Sequence, residues 1–152
     1  MEKKYYWEDF PVGHVVEHGP VTLTKEDILR FGREFDPQPF HTDEEAAKRH
    51  QFGGLIASGW HICSLCMRMM CEAYLLDSNN LASPGVDRIR WLKPVRPGDS
   101  LTARGTVLEA RPLKSKPGVG IALSHWEMIN QHGEVVMEMQ GWGMMRRRNA
   151  GA

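Results

Sequence analysis

From Gly59 to Leu76 the chain is apolar almost all round, through Trp60, Ile62, Cys63, Leu65, Cys66, Met67, Met69, Met70, Cys71, Ala73, Tyr74, Leu75 and Leu76. As a helix this stretch would be about 27 Å long, barely enough for a bilayer. His61, Arg68 and Glu72 would each be costly in hydrocarbon, so the pattern predicts a long central helix wrapped by protein. The second half of the chain changes period. Leu101 to Arg111, Ile121 to Asn130 and Glu134 to Arg146 are β-type runs with partial alternation. Turn signals punctuate this half at Pro84-Gly85, Pro97-Gly98-Asp99, Lys116-Pro117-Gly118 and His132-Gly133. Upstream, a first strand is expected near His14 to Leu23. Thr24-Lys25-Glu26-Asp27 reads as a capping box opening a helix with Ile28, Leu29, Phe31 and Phe35 on its apolar side, and Thr42-Asp43-Glu44-Glu45 opens a second. One strand, then helices, then at least four antiparallel strands is an α+β order in a single domain.

Composition narrows the partners. Nineteen Lys and Arg balance nineteen Asp and Glu over 152 residues, leaving no net charge to attract nucleic acid or a membrane surface. No basic segment followed by an apolar run precedes Trp7, and three cysteines make no disulfide framework. The expectation is a cytoplasmic protein with reduced thiols. Cys63, Cys66 and Cys71 lie within one apolar helix with no second cysteine pair, so no metal site is expected of them. Arg146-Arg147-Arg148 is the only charge run, read as a solvated strand end, with 146–152 a loose tail.

The candidate chemistry sits in Asp36-Pro37-Gln38-Pro39-Phe40-His41. Two prolines fix φ near −65° and bias Asp36 and Gln38 towards extended conformations, so a carboxylate and an imidazole five residues apart stand on a stiff mount. By itself the segment also fits ordinary Asp-Pro turn chemistry with a capping histidine.

Asp36 to His41, with Pro39 between them, resembles the D-x-N-P-x-H signature of the MaoC-like (R)-specific enoyl-CoA hydratases, or hydratase 2, with Gln38 in the usual Asn position. Gly53-Gly54-Leu55-Ile56-Ala57-Ser58-Gly59-Trp60 is similar to the family's entry to its central helix, commonly H-G-M, with Ser58 for the His and Trp60 for the Met. Trp91-Leu92-Lys93-Pro94-Val95-Arg96-Pro97-Gly98-Asp99-Ser100-Leu101 looks like the strand and turn after that helix. The resemblance covers roughly residues 10 to 146 and implies a single hotdog fold, a curved antiparallel sheet wrapped around the central helix.

It also implies an activity: reversible hydration of trans-2-enoyl-CoA to (R)-3-hydroxyacyl-CoA, without metal or redox cofactor. Asp36 and His41 would grip one water as paired general base and acid, and the Gly59 N–H at the helix start would face the developing enolate. Glycine there would let the thioester come close. Gln38, Ser58 and Trp60 would shape the substrate site, Trp60 restricting the acyl end if it points inward. Arg88, Arg90 and Lys93 alternate along a strand face where they could meet coenzyme A phosphates. A hotdog thioesterase and a non-catalytic acyl-thioester binding domain are the alternatives. A helix this apolar on one small sheet leaves an edge and a flank to cover, so a homodimer is expected.

Overall fold

The computed structural model describes residues 2–149. Five strands, β1 (Val15–Thr22), β2 (Asn80–Trp91), β3 (Ser100–Pro112), β4 (Val119–Ile129) and β5 (Val135–Arg146), form one antiparallel sheet in the order β1-β3-β4-β5-β2. Between β1 and β2 come α1 (Lys25–Phe35), α2 (Pro39–Thr42), α3 (Glu44–Lys48) and α4 (Gly59–Ala73). The curved sheet holds α4 against its concave face, which is the α+β arrangement of a hotdog fold.

Alternation in β3 places the core. Leu101, Ala103, Gly105 and Val107 are buried, while Thr102, Arg104 and Thr106 between them face the other side. Ile62, Cys66, Met69 and Met70 of α4 join Leu101, Ala103, Trp126, Met128, Val136 and Met137 in one cluster. Burial pushes the Cys66 thiol up to about 12, so at neutral pH it is an inert packing group. No helix among the described residues is long and apolar enough to cross a membrane.

The structure differs from the pattern in five places. The central helix stops at Ala73, three residues short of Leu76, because Tyr74 turns to φ −156° and Leu75–Asp77 continues as a 3-10 turn. It is not enclosed all round either: Trp60 and Met67, about two turns apart on one stripe, are 56% and 46% exposed. Phe35 is 66% exposed, and of the α1 stripe it is Ile28 and Gly32 that are buried. The third helix opens one residue later than expected, with the Asp43 carboxylate as its cap, accepting the N–H groups of Glu45 and Ala46. Pro84-Gly85 is no turn but an irregularity inside β2, where the register to β5 shifts. Proline is tolerated there because β2 is an edge strand and one side of its backbone has no partner in the sheet.

Of the tail expected to be loose, Arg146 ends β5, and Arg148 is held by the Asp9 carboxylate at 2.8 Å and by Glu8 through its backbone N–H. Residues 150–152 lie outside the described residues.

Candidate active site

The stiff loop does what its prolines suggest. Asp36 ends α1 as its C-cap, its N–H bonded to the Gly32 carbonyl, and Pro39 starts α2 in the first helical position with Gln38 extended before it. His41 is thereby carried back onto α1 at Gly32. A Cβ at Gly32 would come within 2.7 Å of the His41 carbonyl oxygen, so only glycine lets the two segments lie this close. The opposite wall is the buried segment Leu55-Ile56-Ala57-Ser58. It is stitched down by Ile56 N–H to the Phe40 carbonyl (3.1 Å) and Ala57 N–H to the Val95 carbonyl (2.8 Å).

His41 and Asp36 meet here, Nε2 to Oδ2, at 3.3 Å, with side chains 6% and 15% exposed. The imidazole's other nitrogen, Nδ1, lies 2.7 Å from the Ile56 carbonyl oxygen. A carbonyl only accepts, so Nδ1 carries a hydrogen and it is Nε2 that faces the carboxylate. Asp36 is bonded on both oxygens: Oδ1 accepts from the Gln38 amide at 2.8 Å and Oδ2 from the Ser58 hydroxyl at 2.7 Å. Burial opposes its ionisation, but the Gln38 and Ser58 hydrogen bonds, and the attraction of His41 when its ring is protonated, outweigh that and hold the carboxyl below its ordinary value. The same Ser58 hydroxyl caps α4, accepting the Trp60 N–H at 3.3 Å. Asp36 therefore sits at the positive end of a fifteen-residue helix. With the ring neutral, an ionised carboxylate and an imidazole lone pair are two acceptors that can hold one water by both its hydrogens and leave its oxygen free to attack.

The peptide N–H of Gly59, first residue of α4, has no hydrogen-bond partner among the described residues. The room expected beside its Cα for an approaching thioester is filled by Trp91: a Cβ built there would overlap Cδ2, Cε2 and Nε1 of the indole. Trp60 does not point inward. It stands at the surface, edge-on to Trp91 with ring centroids 5.1 Å apart, which removes the reason to expect a shortened acyl pocket.

Asp36, Gln38, His41, Ser58 and Gly59 thus come together; the three basic residues do not. Arg88 and Arg90 share a face as expected, but it is the face of their β5 partners Gln140 and Glu138. That is the convex side, whereas α4 packs on the side of Met137. Arg88 is paired with Glu138 at 3.0 Å. Lys93 lies beyond the end of β2 and pairs with Glu134. Three contributors carry no local sequence signal: the Ile56 carbonyl, Gly32 and Trp91.

A cavity of about 180 Å³ lies between the distal half of α4 and the concave sheet, lined among others by Met67, Met70, Tyr74, Trp126, Gly141 and Trp142. None of the Asp36, His41 or Gly59 atoms lines it.

A family model described as MaoC like domain matches residues 9–127, a span that contains the whole Asp36–His41 loop and the start of α4. The chain belongs to the MaoC-like dehydratase family. The crystal structure of a MaoC-like dehydratase from Rhodospirillum rubrum is similar at a TM-score of 0.88 and 38% identity, covering 95% of this chain and 99% of that one. The uncharacterized protein YdeM of Bacillus subtilis (strain 168) is 32% identical over 112 residues, 74% of this chain and 79% of YdeM. A mesaconyl-CoA hydratase of Cereibacter sphaeroides is 38% identical over 77 residues, which are 51% of this chain and 22% of the hydratase. The MaoC-like membership accounts for the fold around the site.

Proposed function

We propose that this MaoC-like domain is an enoyl-CoA hydratase, adding water reversibly to trans-2-enoyl-CoA to give (R)-3-hydroxyacyl-CoA. The observation that carries the reading is the buried pair itself: His41 Nε2 and Asp36 Oδ2 at 3.3 Å, with the imidazole tautomer set by the Ile56 carbonyl. Nε2 takes a proton from water as the oxygen bonds to C3 of the enoyl group. Ionised Asp36 orients that water and stabilises the imidazolium. The double-bond electrons move towards the thioester oxygen, where the free Gly59 N–H and the start of α4 meet the developing negative charge. The imidazolium then returns its proton to C2, so one water is added and both groups are reset. No step needs a metal or redox cofactor. The apolar cavity along α4 suits the far end of a longer acyl chain.

Two copies are part of this reading. β2 ends the sheet with its outer edge free, and Leu81, Val86 and Trp91 on it are 41%, 49% and 46% exposed. Pairing of two such edges would cover them and continue the sheet.

The test is to incubate the protein with a panel of trans-2-enoyl-CoA thioesters, crotonyl to dodecenoyl, and weigh the products. Gain of one water supports a hydratase. Release of free coenzyme A without hydration would make the protein a hotdog thioesterase instead, and no turnover of any thioester would leave an acyl-thioester binding domain.

A further inference from the structure

The edge strand reaches back to the start of the central helix through one side chain. Trp91, the last residue of β2, donates its indole N–H to the Gly59 carbonyl at 2.9 Å. Its ring also fills the space beside the Gly59 Cα so closely that no other residue fits at 59 without moving it. On its far side it meets Trp60 edge-on. Its own place is set by the sheet, where it stands opposite Met137, a fully buried residue of β5.

The peptide on each side of Gly59 is therefore gripped by a different element. Ser58 holds the preceding turn by capping α4 and bonding Asp36. Trp91 holds the following carbonyl and the Cα between them. Glycine is the residue with the widest range of φ and ψ, and a glycine at the first position of a helix lacks the hydrogen bond that steadies residues further in. Nothing else among the described residues bonds the Gly59 peptide groups from outside the helix and its cap.

We infer that Trp91 is a positioning residue for the oxyanion donor: it holds the Gly59 backbone so that its N–H keeps a fixed direction, and Gly59 is glycine to accept the indole. The inference rests on the hydratase reading for the role of that N–H. Trp91 itself touches no reacting atom. Its effect belongs in turnover, because a donor that points a few tenths of an ångström away stabilises the enolate less while ground-state binding of the thioester is unchanged.

The experiment compares Trp91→Phe, which keeps an aromatic ring and removes the N–H donor, with Gly59→Ala and with Gly59→Ala combined with Trp91→Leu. Trp91→Phe should lower kcat about tenfold or more with KM within about twofold, since small misplacements of catalytic groups cost this much or more. In protein labelled with 15N-glycine, the Gly59 amide should be the glycine signal that shifts or broadens most. Gly59→Ala alone should lose most activity, and adding Trp91→Leu, which relieves the clash without restoring the indole N–H, should return stability but leave kcat no higher than that of Trp91→Phe, whereas a merely structural tryptophan would let kcat recover with the fold. Unchanged kcat in Trp91→Phe, or a kcat in the double variant restored towards wild type, overturns the inference while leaving an active wild type a hydratase. A wild type that hydrates none of the thioesters overturns the hydratase reading, and this role with it.

Discussion

Replacing Ser58 by alanine removes one hydroxyl that serves two masters, and the structure separates their contributions. Ser58 is 1% exposed, donates to Asp36 Oδ2 at 2.7 Å and accepts from the Trp60 N–H at 3.3 Å. A hydrogen bond to a buried charged group contributes about 1.5–3 kcal/mol, and loss of an N-cap costs about 1 kcal/mol. Ser58→Ala should therefore destabilise the fold by about 3 kcal/mol at neutral pH. At about 2–4 °C per kcal/mol for a domain of this size, the melting temperature should fall by about 6–12 °C.

The pH dependence tells the two parts apart. The Asp36 carboxyl is held below its ordinary value in the fold, so its bonds contribute stability that is fully present above the unfolded carboxylate pKa of about 4 and is lost as pH falls through the folded value. The cap bond does not titrate. The difference between wild type and Ser58→Ala should hence shrink in acid to about 1 kcal/mol, the cap alone. With one donor gone the Asp36 carboxyl rises, and the acid limb of kcat/KM should move to higher pH. Urea unfolding across the acid range and a pH–rate profile for crotonyl-CoA measure both. A stability deficit of the same size in acid as at neutral pH, with an unmoved acid limb, would mean that Ser58 does not act on an ionised Asp36.

Asp36→Asn and His41→Ala should each lower turnover by about two to four orders of magnitude with the fold kept, and the double variant should be little worse than the worse single one, because residues acting as a unit are non-additive; single-turnover hydration with circular dichroism checks this. Gly32→Ala puts a methyl group within 2.7 Å of the His41 carbonyl, so it should cost about 1–3 kcal/mol in urea unfolding and lower kcat through displacement of His41. Sedimentation should show a dimer at micromolar concentration and a shift towards monomer in Val86→Lys, since a lysine on the free β2 edge blocks pairing; a wild type that sediments as an active monomer refutes the two-copy reading.

What was legible in the sequence was local. Asp36 and His41 are five residues apart on a segment whose prolines leave few conformations, so their meeting followed from the chain itself. The long apolar helix and the alternating strands were likewise readable from their periods, to within a few residues at the ends. Phe35 shows the limit of that logic. It lies four residues after Phe31 and touches it at 5.1 Å, so the stripe is real, but how far a stripe is covered depends on what packs over it, and the cover stops at Gly32. Ser58 and Trp91 reach Asp36 and Gly59 across 22 and 32 residues, and no spacing rule connects a strand end to a helix start at that distance.

The two arginines show most sharply what a pattern withholds. That Arg88 and Arg90 share a face follows from a period of two, and they do. Which face they share is decided elsewhere, by the register against β5 that sets Arg90 opposite Glu138 and Trp91 opposite Met137. Slipping that register by one residue would turn the arginines towards α4 and the tryptophan out to the convex side, away from Gly59. The irregularity between Val86 and Arg88 is where the strand sets its parity, just after the proline and glycine that read as a turn. The same bulged edge that reads as a turn in the sequence is thus what aims Trp91 at the helix start.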